Sequence, residues 1–96
     1  MIMEIVKRNE IFEILGSTDE YIVKGTANYD VVGNLNVDFR FSHLDETGIG
    51  NGYYNSYNNN NHSDFGISCS DEYRNVLIKY SLEVVDFIIN YFKQNV

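Results

Sequence analysis

From Ser70 to about Gln94 the apolar residues recur with the period of an α-helix, and they cover far more of it than a surface helix needs. At about 100° per residue, Glu72, Asn75, Lys79, Glu83, Asp86, Asn90, Lys93 and Gln94 share one polar arc. The remaining arc, roughly 240° wide, carries Tyr73, Val76, Leu77, Ile78, Tyr80, Leu82, Val84, Val85, Phe87, Ile88, Ile89, Tyr91 and Phe92, interrupted by Arg74 and Ser81. A helix of this kind must be covered on most of its sides. Either a sheet curls around it, which is the expectation, or a second copy covers part of the arc in a homodimer through the C-terminal helix. Ser70 or Asp71 is placed to cap the first amides, and Asp71 and Glu72 set negative charge against the positive end of the helix dipole.

The cover has to come from upstream. Residues 20–43 hold two stretches of apolar and polar alternation hinged near Val32-Gly33-Asn34. A two-residue Gly33-Asn34 turn would set Asp30 against Val37 and mix polar with apolar partners on one face. A three-residue loop over 32–34, with Asn34 left-handed, sets Val31 against Leu35, Tyr29 against Val37, Ala27 against Phe39 and Gly25 against Phe41. That register gives each strand an apolar inner face and a polar outer face. Residues 2–15 read as two short strands broken at Lys7-Arg8-Asn9-Glu10, Gly16-Ser17-Thr18-Asp19 as a turn, and residues 65–69 as another strand. The expected fold is therefore α+β, a small antiparallel β-sheet of roughly 4–6 strands packed against one long C-terminal α-helix. The whole of 1–96 forms a single domain, with 1–43 β-rich, 44–64 a long Gly/Asn/Tyr loop or hairpin, 65–69 strand and 70–94 helix.

A chain of 96 residues supports one core. One cysteine, Cys69, cannot form an internal disulfide, which points to a reducing compartment, and the first residues lack the pattern of an export signal. No apolar run reaches the roughly 18 residues of a membrane span, so a cytoplasmic location and no membrane partner are expected. The net charge of −7 repels phosphate backbones and disfavours direct nucleic-acid binding; it favours a protein partner with a basic surface.

Gly48, Gly50 and Gly52 alternate, but no strand–glycine–helix context accompanies them, so a phosphate-binding loop does not follow. His43, Asp45, Glu46, His62 and Asp64 are metal-ligand types without metal-ligand spacing, and His43 continues the inner face of its strand. Cys69, just before the helix start, reads as a structural thiol. No catalytic residue, metal or cofactor is expected. Residues 48–61 combine tyrosine, glycine, serine and asparagine, the composition of adaptable recognition loops, and residues 41–73 hold five acids and no lysine or arginine. The binding candidates are accordingly Asp45, Glu46, Tyr53, Tyr54, Asn55, Tyr57 and Asp64. The expected function is a small acidic protein-interaction module, an inhibitor or antagonist of the bacterial immunity-protein or phage anti-defence kind that blocks a macromolecular partner. The alternatives are a small metal- or ligand-dependent enzyme and a homo-oligomeric accessory subunit.

Overall fold

Six segments alternate small or apolar residues with polar ones, and each becomes a strand in the computed structural model, which describes residues 1–8, 11–57 and 62–95. The strands are β1 (Ile2–Arg8), β2 (Ile11–Ser17), β3 (Tyr21–Tyr29), β4 (Leu35–His43), β5 (Gly48–Tyr57) and β6 (His62–Cys69). A single 3₁₀ turn, Asp71–Tyr73, then leads into α1 (Arg74–Asn95). Every strand pairs antiparallel with the next, so the sheet order follows the chain order from β1 to β6. The architecture is the expected α+β sheet and helix.

The helix lies on one face of the sheet. From that inner face Ile14, Val23, Ala27, Leu35, Val37, Phe39, Phe41 and Ile49 are buried, and from α1 Leu77, Val84, Val85, Ile88 and Phe92 meet them. Each of these valine, leucine, isoleucine and phenylalanine side chains removed from water contributes about 1.5–3 kcal/mol. Aromatic contacts trace the path of the helix. Near its start the Tyr73 hydroxyl is 3.1 Å from Nε2 of His43, further along Tyr80 leans on Tyr21, and at its end Phe92 meets Phe12 edge-on and stacks on Tyr29, both at 4.9 Å. The helix thus runs from the end of β6 across to β2 and β3. Most of its wide apolar arc is covered by the sheet; Ile78 at 39 % and Leu82 at 49 % exposure are the large apolar side chains of α1 left at the surface. Homodimerisation through this helix gains no support from so small a remainder.

Four expectations need correction. The β3–β4 hairpin pairs Tyr29 with Leu35, Ala27 with Val37, Gly25 with Phe39 and Val23 with Phe41. The left-handed residue is Gly33 (φ 93°) rather than Asn34, so the loop sits one residue earlier, over 31–33, and every pairing shifts by two. Oδ1 of Asp30 fixes it there, accepting hydrogen bonds from the N–H groups of Val32 (3.0 Å) and Asn34 (2.9 Å). The inner and outer faces are unchanged, since the shift is even.

Second, of the two readings of 44–64 it is the hairpin that holds, since β5 pairs with β6 over most of it, and the loop that does not. Asn51-Gly52 lies inside β5, a ten-residue strand, and β6 begins at His62 rather than at residue 65. Gly50 and Gly52 stand on the inner row of β5, whereas a register shift between Phe41 and Ser42 sets Gly48 opposite Ser42 on the outer face and leaves Ile49 in the core. Gly52 faces Phe39, and Gly50 faces Phe41 on one side and Cys69 on the other. A β-carbon on Gly52 would come 2.6 Å from the Phe39 ring, and one on Gly50 would come 2.7 Å from Cδ2 of Leu77. Glycine leaves the space that the phenylalanine rings and the helix occupy. Third, Gly16 and Ser17 belong to β2; the turn follows them, with the Thr18 hydroxyl accepting from the N–H groups of Glu20 and Tyr21. Fourth, the Ser70 side chain makes no cap hydrogen bond, although Asp71 and Glu72 do occupy the first turn.

Candidate functional site

The second face of the sheet carries no helix, and the register decides what stands on it. Successive cross-strand rows on β4, β5 and β6 are Arg40–Asn51–Ser68, Asp38–Tyr53–Gly66 and Asn36–Asn55–Asp64, followed by Tyr57–His62. Four of the seven binding candidates, Tyr53, Asn55, Tyr57 and Asp64, therefore share this outer face. Alternation along β5 sends Tyr54 the other way, opposite Val37 and Phe65, where it is half-buried against the core.

Two of the tyrosines are held by neighbours. The Tyr53 ring lies flat over Gly66, close enough that a β-carbon there would be 2.7 Å from its Cζ, yet the ring stays 43 % exposed. Tyr57 stacks on His62, ring centres 6.0 Å apart, and Nε2 of His62 is 3.1 Å from Oδ1 of Asp64. Rings seated this way offer contact area at little entropic cost on association.

Asp45 and Glu46 lie elsewhere, in the three-residue turn between β4 and β5, closed by hydrogen bonds from the His43 N–H to the Thr47 carbonyl and from the Glu46 N–H to the His43 carbonyl. From this turn to Tyr57 runs the full length of β5, about 30 Å at ~3.3 Å per residue. The acids of the turn and the far end of the tyrosine row thus cannot act at one point. The Asp45 carboxyl is held below its ordinary range, chiefly by the backbone N–H of Thr47. Glu46 adopts φ 71°, a left-handed conformation that glycine would take without strain, and Oε1 reaches Nζ of Lys24 at 3.3 Å.

The structure also brings together residues that were not among the sequence candidates. Lys24 and Arg40 stand directly opposite each other on the outer face, beside a depression of about 640 Å³ that Glu13, Leu15, Thr26 and Glu46 also line. Like charges opposed in this way are unfavourable, and the pairing of Lys24 with Glu46 offsets part of the repulsion. On β1 and β2 the same face exposes Ile2 (82 %) and Ile11 (52 %). The signal for both features was the alternation itself, which sends every second residue of β1 to β3 away from the helix.

The two histidines sit at opposite ends of the sheet, His43 opposite Tyr21 and His62 opposite Tyr57, and Cys69 packs against the core. Among the described residues no three histidine, cysteine or acidic side chains converge as metal ligands would, and no helix is long and apolar enough to cross a membrane. The outer face of β4–β6 carries phenol rings, amides and carboxylates, with Arg40 at one end and His62 at the other. Compared with known proteins, the chain matches no family model, and no curated protein or solved structure matches it.

Proposed function

We propose that this protein is a non-enzymatic interaction module whose helix-free sheet face, over β4 to β6, engages a protein partner with a basic surface. The observation that carries the reading is the row of Tyr53, Asn55 and Tyr57 on an uncovered face beside Asp38 and Asp64, within a segment, 41–73, that holds no lysine or arginine. Seated tyrosines serve as anchors, and the net charge of −7 steers a basic partner toward them. In this reading the module acts as an inhibitor that occludes the partner's basic groove, in a reducing compartment such as the cytoplasm.

The test compares what wild type, Tyr57→Ala, Asp64→Lys and the helix-surface control Asp86→Ala retain from a host extract at about 0.05 M and 0.5 M salt. A protein held by wild type and the control, lost with the two sheet-face variants and weakened by salt, is the expected result. Identical retention by all four chains would remove the sheet face from the function.

A further inference from the structure

We propose that the edge strand β6 is itself a docking element, and that an extended segment of the partner, alternating basic with apolar residues, adds to it as a seventh strand. The inference rests on the acidic interaction module argued above and specifies how its partner is held.

β6 closes one side of the sheet, and among the described residues no strand lies beyond it. Its eight residues exceed the mean strand of about 5–6, and its outward backbone groups, at alternate residues, form a template for another chain. Edges are ordinarily blunted by lysine, proline or a bulge. The opposite edge follows that rule, with Glu4 and Lys7 on β1. β6 has no proline, lysine or arginine, and it pairs with β5 without a break in register.

The side chains flanking the edge specify its occupant. On the inner side Phe65 is 39 % exposed and Ile67 half-buried, so an incoming strand would place apolar residues beside them at about 4.5–5.5 Å. On the outer side stands Asp64, and just past the end of β6 come Asp71 and Glu72 in the first helical turn. Basic residues at alternate positions of the partner meet these acids. A second copy of the chain is the wrong occupant, because pairing β6 with itself would bring the same acids of both copies together at a net charge of −7 each. Strand addition of this kind takes affinity from main-chain hydrogen bonds and specificity from alternate side chains.

The experiment uses the full chain labelled for amide NMR and a blocked octapeptide alternating lysine and valine. Binding is expected to slow hydrogen exchange at alternate β6 amides by at least tenfold and to move the resonances of Phe65 and Ile67. N-methylating one set of alternate peptide nitrogens should abolish binding, whereas methylating the other set, which faces water, should not. Asp64→Lys should weaken binding at least fivefold, and a glutamate–valine octapeptide should not bind. Equal binding by both methylated peptides would mean charge recognition without strand addition, overturning the edge while leaving the acidic-surface reading in place. Absence of binding up to millimolar peptide would also overturn the edge, whatever the extract experiment shows, and equal binding by the glutamate peptide would overturn the charge argument common to both.

Discussion

Replacing Gly50 with alanine probes how α1 is seated on the sheet. A β-carbon there would lie 2.7 Å from Cδ2 of Leu77, 2.7 Å from Cβ of Cys69 and 2.8 Å from the carbonyl oxygen of Ser68. Carbon atoms prefer separations of about 3.5–4.0 Å, so Leu77 must retreat by about 1 Å and carry the first turns of the helix with it. The Ser68 oxygen is backbone and has less freedom to move. Overpacking of this kind costs about 1–3 kcal/mol, while restricting the unfolded chain at a former glycine returns about 0.4–1 kcal/mol. The net expectation is a loss of about 0.5–2 kcal/mol, or a melting temperature lower by roughly 2–16 °C in a domain of this size, read by circular dichroism during thermal and urea unfolding. Two companions isolate the cause. Gly48, on the same strand but turned to the outer face opposite Ser42, has nothing within 4 Å of its absent β-carbon and no positive φ, so Gly48→Ala should be neutral or stabilising. In a Leu77→Ala background, Gly50→Ala should cost measurably less than in wild type, because one of the three obstacles is gone. If Gly50→Ala is as stable as wild type, or costs the same with and without Leu77, the close approach of helix and strand is not what glycine provides.

Asp30 predicts a pH dependence. Its carboxyl is lowered chiefly by the backbone hydrogen bond from Asn34; a folded value below the unfolded one gives stability that is complete above the ordinary carboxylate range near pH ~4 and fades as pH falls through the lowered value. Urea midpoints of wild type and Asp30→Ala should therefore differ at neutral pH and converge on acidification, and a gap independent of pH would refute the role of the charged form. Tyr53→Ala should lose about 0.2–1 kcal/mol in urea unfolding because it uncovers Gly66, whereas Tyr53→Phe should not; equal stability of all three would show that the ring is not part of the sheet's packing.

The helix, the two faces of the β3–β4 hairpin and the antiparallel class were legible in the sequence because each is a matter of period, and period survives small errors of alignment. The register of that hairpin was not. Pairings that differ by two residues bury the same Tyr29, Ala27, Val37 and Phe39, and only the reach of the Asp30 carboxylate to two backbone N–H groups selects between them. β5 escaped for another reason. Its inner row is Gly50 and Gly52, the hydrophobic mass that fills that row belongs to Phe39, Phe41 and Leu77 on neighbouring elements, and a register shift puts Ile49 in the core one residue out of step, so the strand shows no apolar alternation of its own. That error carried into the site. Tyrosines assigned to one loop tip are distributed along a strand, with Tyr54 on the core side and Tyr53 and Tyr57 on the open one, whereas the acids of 45 and 46 did fall in a turn as their composition suggested.

Because each strand pairs with its neighbour in sequence, the sheet assembles from local hairpins with little loop-closure entropy at any step. The helix that covers it is encoded after all six strands. During synthesis at about 5–20 residues per second, the inner face with Phe39, Phe41 and Val37 stays bare for roughly 1–5 s while residues 70–95 are made. Over that interval the nascent chain is a sheet with one apolar face and an unguarded β6 edge, and its demand for chaperones should be set by how quickly Leu77 and Phe92 can be delivered.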